Sequence, residues 1–137
     1  MDAAYLFTPF LAWLIAGGLK FLINSLRARR WAFGQIGYGG LPSNHSAIVS
    51  SMAALIALRE GMSEPAFGVA LTLAFIVILD ASSLRRQVGR QATAINRLAQ
   101  GQPGYHRLRE RMGHTPLEIL AGIGVGVAVA FVVWSVA

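Results

Sequence analysis

The chain of 137 residues contains no cysteine, and Asp, Glu, Lys and Arg together make up only 13% of it. That is about half the charged share of an ordinary soluble domain, near 25%. Without thiols there is neither a disulfide framework nor a thiolate zinc site. Acid is scarcer than base, six residues against twelve, and the net charge is +6. A pI near 11.1 on its own points towards nucleic acid. A chain that is 55% hydrophobic, with a mean hydropathy of +0.54, has too little polar surface for that role. It is also too apolar to be disordered. Basic residues held at lipid headgroups satisfy both the charge and the hydropathy. The expected partners are therefore membrane lipids, not nucleic acid. The amino terminus lacks a basic n-region and a small-residue cleavage site, so the first apolar segment is expected to remain in the mature protein. There is no internal repeat or low-complexity tract, and the length predicts a single domain, residues 1–137.

Four apolar segments fill most of the chain, at about 3–26, 43–58, 65–84 and 115–137. The first is long enough to cross a hydrocarbon core of roughly 30 Å. The second and third could by length be core helices of a soluble protein, but a soluble helix should show a charged face and Leu71 to Leu79 has none. The second is shorter and rich in Ala and Ser. The stretch 34–42 is full of glycine and reads as a loop. The expected fold is an all-α integral membrane bundle of about four transmembrane helices. Between the third and fourth segments, Val88, Ala92, Ile95 and Ala99 recur at helical spacing with Arg90 and Arg97 off that stripe. This predicts a basic amphipathic helix on the cytoplasmic face, broken by Gln102-Pro103-Gly104. Gly122, Gly126 and Ala130 form a small-residue stripe, suited to close helix packing inside the bundle or to a dimer face. With the amino terminus outside, ten arginines fall inside and only Arg59 falls outside. The positive-inside rule then puts the chain in the bacterial inner membrane with both termini out and two basic loops in the cytoplasm.

Ionisable groups within such segments are functional candidates. Lys20, Asp80 and Glu118 each lie near the cytoplasmic end of a helix, as do Arg27, His45 and His114. Lys20, Asn24 and Arg27 share a helix face, although Arg27 alone reads equally well as a headgroup anchor. Pro42-Ser43-Asn44-His45-Ser46 opens the second helix. There Ser43 or Asn44 caps the free N–H groups, and the helix end favours an anion. Gly113-His114-Thr115-Pro116-Leu117-Glu118 opens the last helix as a capping box. The box explains Thr115 and Glu118 but not His114, whose ring Glu118 is placed to orient. Asp80 is set to pair with Lys20 or an arginine, and Arg85 and Arg86 to clamp phosphate oxygens. Two ligands among repelling arginines are too few for a metal, and no cofactor is expected.

A lysine and an arginine with six residues between them, then PSNHS, then a histidine with an acid four residues on, resemble the type-2 phosphatidic acid phosphatase superfamily. That superfamily includes lipid phosphate phosphatases and vanadium-dependent haloperoxidases. PSNHSA, DASSLRRQVGRQA and GHTPLEILAG are most similar to its small divergent bacterial branch. The resemblance runs from Lys20 to Gly122. It implies that Lys20 and Arg27 bind phosphate oxygens, that Ser43 and Asn44 add hydrogen bonds, and that His45 protonates the leaving alcohol. It implies that His114 forms a phosphohistidine and that Glu118 orients it. The pattern departs at Ala28 (proline in the family), Asn44 (glycine), Glu118 (aspartate) and Leu108 (arginine). Arg107, Arg109 and Arg111 are candidates to replace that last arginine, and Arg85 and Arg86 are favoured over them. The bundle has fewer helices than the membrane members usually have, and a homodimer would complete it.

The function expected is hydrolysis of a lipid phosphomonoester or diphosphate at the cytoplasmic leaflet. The alternatives are a lipid-phosphate binding or transport protein without turnover, and a structural membrane scaffold.

Overall fold

The computed structural model describes residues 3–29 and 40–136. Among them are five helices and no strand: α1 (Ala3–Ala28), α2 (Asn44–Arg59), α3 (Pro65–Ser82), α4 (Leu84–Leu98) and α5 (Pro116–Val136). Three stretches are long and apolar enough to cross a membrane, namely α1, the α3–α4 run Pro65–Leu98, and α5. The 16 residues of α2 reach only about 24 Å at ~1.5 Å per residue, short of the hydrocarbon core. The second segment is thus a helix, as its composition predicts, but a short central one, packed by α1, α3 and α5 together.

Packing is inside-out relative to a water-soluble bundle. Phe7, Phe10, Leu14, Phe75 and Leu120 are exposed, while Ala12, Ala16, Ala47, Ala53, Ala74 and Ala130 are buried. Lipid tails are as apolar as leucine, so large side chains gain nothing by turning inwards, and small residues let backbones approach. The α2–α5 contact depends most on this. A Cβ on Gly122 would run into the Ser43 carbonyl and the Ser46 side chain, and one on Gly126 into the Ala47 carbonyl and the Ser50 hydroxyl. The small-residue stripe of α5 therefore packs within the chain, against α2.

Residues 43–47 lie against 122–126, so α2 and α5 run parallel. The Ser43 N–H donates to the Glu118 carbonyl at 2.8 Å and ties their starts together. By contrast α1 runs against α2: Tyr5 hydrogen-bonds Glu60 at one end, and Gly17 lies beside Asn44 towards the other. The end of α3 reaches the same place, where the Ala81 carbonyl accepts from the His114 N–H at 3.0 Å. One end of the bundle thus gathers the amino termini of α2 and α5 and the carboxyl-terminal portions of α1 and α3.

Helix α4 follows α3 after a break at Ser83. Its buried face is Gly89, Ala92 and Asn96; of the predicted stripe, Ala92 is covered while Val88 and Ile95 are exposed. The reason is residues 105–113, a strap lying over α4. The Asn96 amide pairs with Leu108 like a strand backbone, accepting from its N–H and donating to its carbonyl, both at 2.8 Å. It also accepts from Tyr105 and donates to Glu110. A Cβ on Gly89 would meet the Glu110 carbonyl. Helix α4 ends at Leu98, before the predicted turn, and Gly101 and Gly104 take positive φ of 89° and 77°. The loop predicted at 34–42 lies mostly outside the described residues.

Candidate functional site

At the start of α5 the capping box forms as predicted. The Thr115 hydroxyl accepts from the Glu118 N–H at 3.3 Å, and Glu118 Oε2 accepts from the Thr115 N–H at 3.0 Å. The same Oε2 lies 3.1 Å from His114 Nδ1. One carboxylate oxygen therefore caps the helix and orients the imidazole, and the two readings of Glu118 hold together. His114 and Glu118 are 7% and 8% exposed. A carboxylate here accepts, so the His114 proton sits on Nδ1 and the lone pair on Nε2. Burial pushes the His114 imidazole below its ordinary range, and its hydrogen bond to Glu118 opposes that shift. The ring is therefore neutral near pH 7.

Ser43 caps α2, its hydroxyl accepting from the Ser46 N–H at 3.3 Å and from the Ser46 hydroxyl at 3.0 Å. That hydroxyl is committed to capping. His45, in the first turn, brings its ring centroid to 6.1 Å from that of His114, tilted by 53°. Arg85 Nη2 is 3.1 Å from His45 Nε2, and Arg85 Nε is 3.5 Å from Asp80 Oδ2. A guanidinium only donates, so His45 Nε2 accepts and the proton of the neutral ring sits on Nδ1. That buried nitrogen and the buried Asn44 Oδ1 have no hydrogen-bond partner among the described residues. Lys20, half-buried on α1, lies close enough to Glu118, His45 and His114 to interact electrostatically with each.

The fold thus brings together Lys20, Asn44, His45, Asp80, Arg85, His114 and Glu118. It separates the two favoured arginines. The Arg86 side chain is exposed, and its backbone instead lies against Gly113. Arg27 is exposed in the last turn of α1 and interacts with neither imidazole. Among the described residues no three His, Cys, Asp or Glu gather as metal ligands. Sequence reasoning missed the Ala81 carbonyl and Asn96, which hold the two ends of the strap leading to His114. The spacing Gly89–Ala92–Asn96 carried a signal, as two small residues and an amide on one helix face.

A short central helix ringed by longer apolar ones, with two imidazoles, a guanidinium and an ammonium gathered at one end, defines a helical membrane protein with a polar, basic cluster at one end of its bundle. The chain matches the Divergent PAP2 family over residues 1–129 and belongs to it. It is 33% identical over 110 residues to "Uncharacterized membrane protein YuiD" of Bacillus subtilis (strain 168), covering 69% of this chain and 70% of that protein. No solved structure matches the chain.

Proposed function

We propose that this protein is a metal-independent lipid phosphate phosphatase of the bacterial inner membrane. It hydrolyses a lipid phosphomonoester or diphosphate at the cytoplasmic leaflet. The observation that carries the reading is the imidazole pair, 6.1 Å apart, with Glu118 on one ring and Arg85 on the other. A phosphoryl group between the rings meets two helix amino termini, Arg85 and Lys20, the positive charge that a phosphoryl transition state needs.

His114 Nε2 attacks phosphorus, and the bond from phosphorus to the lipid oxygen breaks. The leaving oxygen takes a proton from His45. Water then hydrolyses the phosphohistidine. As Arg85 turns from His45 to the phosphate, Nε2 becomes free to bind a proton, and the dianion stabilises the resulting imidazolium. The lipid tail stays in the bilayer. A homodimer would complete the bundle or the substrate groove.

The test is phosphate release from a panel of lipid phosphates by the purified protein. His45→Ala is expected to slow release by about 10²–10⁴-fold, the usual worth of a general acid. Arg85→Ala should lower kcat/KM by about 10²-fold or more, while Arg86→Ala stays near wild type. Equal effects at the two arginines would reject the assignment of Arg85. No release from any substrate, with lipid binding that weakens in Arg85→Ala, would favour a binding or transport protein.

Orientation is checked by cysteine labelling, since the chain has no cysteine of its own. Ser63→Cys should react with an impermeant reagent in intact cells and Gln102→Cys only after lysis. The reverse pattern would overturn the topology.

A further inference from the structure

Helix α4 has three faces. Gly89, Ala92 and Asn96 are buried under the strap. Leu84, Val88, Ile95 and Leu98, which share a second side at about 3.6 residues per turn, are all exposed, Leu98 at 83%. Arg86, Arg90 and Arg97 share a third and are exposed too. Between residues 84 and 113 there are seven arginines and one acid, Glu110. That acid already accepts from Arg107 and Asn96. The helix begins two residues after α3, part of a membrane-crossing stretch, ends.

We infer that α4 docks on an anionic lipid surface, its Leu84–Val88–Ile95–Leu98 stripe entering the acyl boundary and Arg86, Arg90 and Arg97 meeting the headgroups, at a site separate from the imidazole pocket. An apolar stripe beside an arginine row is the pattern of an interfacial helix. A neutral protein groove would leave the arginine row unmatched. An anionic bilayer matches both faces, and α3 delivers the helix to it. The stripe is not the one that periodicity alone selects, because Ala92 is buried.

The experiment places a polarity-sensitive fluorophore on Val88→Cys, Arg90→Cys or Ile95→Cys in the full chain, reconstituted into nanodiscs of phosphatidylcholine with or without phosphatidylglycerol. In anionic discs the labels at 88 and 95 should shift to the blue and resist a water-soluble quencher, while the label at 90 stays quenched. Each arginine near an anionic surface contributes about a fivefold preference. Adding Arg86→Gln, Arg90→Gln and Arg97→Gln to Ile95→Cys should therefore weaken docking by on the order of a hundredfold. The label at 95 then becomes as quenched in anionic discs as in neutral ones. Equal quenching at 88, 90 and 95 in anionic discs would overturn the inference. So would dipolar coupling between spin labels on the α4 helices of two copies, which would make a second chain the occupant. All the altered side chains are exposed, and the readout requires no turnover, so it stands apart from the phosphatase reading.

Discussion

His114→Ala is expected to abolish phosphate release, whereas Glu118→Gln should slow it and move its pH dependence. The two outcomes differ because the residues act at different points. In the mechanism proposed above, His114 presents the attacking nitrogen, and without it no phosphohistidine forms. Residual rate should lie at the background of the assay. The Glu118 carboxylate hydrogen-bonds His114 and the cap. A glutamine keeps a carbonyl able to accept from Nδ1 but removes the negative charge that stabilises the developing cation. A loss on the order of 10²–10⁴-fold in kcat is expected, as for orienting carboxylates elsewhere.

The pH profile supplies a second readout. Attack requires the neutral ring, so activity falls as pH drops through the His114 pKa. Burial sets that pKa below the ordinary histidine value, and Glu118 pulls it partly back up. The acid limb of wild type should therefore lie below about pH 6.5, the unperturbed value, and in Glu118→Gln it should move lower still. An acid limb that moves upwards in Glu118→Gln would contradict the roles assigned here. The charges of Lys20 and Arg85 also act against its protonation, so they reinforce the direction in both proteins.

How far the molecule was legible in the sequence can be followed residue by residue. Long apolar runs specify helices whatever they pack against, so α1, α3 and α5 were readable from composition. The box at Thr115 and Glu118 was readable because its partners are three residues apart and need no tertiary context. The convergence of Lys20, His45 and His114 was readable because loop charge places the ends of several helices on one side. What the sequence left open were choices between neighbours. Arg85 and Arg86 are adjacent and chemically identical, and only the path of the chain after Ser83 decides which one reaches His45. On α4, periodicity shows which residues share a face but not which face is covered, and the cover arrives from residues 105–113. Asn96 had no local partner to announce it, because its bonds are to Tyr105, Leu108 and Glu110. For Arg27 the anchoring reading fits its exposure.

The second large effect is expected from a residue with no chemistry of its own. Gly122→Leu should disrupt the bundle and silence the site, while Gly124→Leu, two positions along the same helix, should be tolerated. A side chain at 122 points at the Ser43 carbonyl and Ser46, and the carbonyl belongs to the first turn of α2. A flexible side chain could give way, but a helix backbone cannot. Overpacking costs about 1–3 kcal/mol where side chains adjust, and a contact against fixed backbone should lie at or above the top of that range. Among the described residues, no atom outside its own stretch of helix lies within 4 Å of a Cβ at 124, so a leucine there should face lipid. Thermal unfolding in detergent should show a large loss for the first variant and almost none for the second. Activity should fall further than stability alone explains. The contact at 122 sets the spacing between the starts of α2 and α5, and hence between His45 and His114. A displacement of about 1 Å between reacting groups can cost 10²-fold in rate. If Gly122→Leu kept its stability and its turnover, α2 and α5 would not be packed as described, and the imidazole pair would lose the scaffold that holds it.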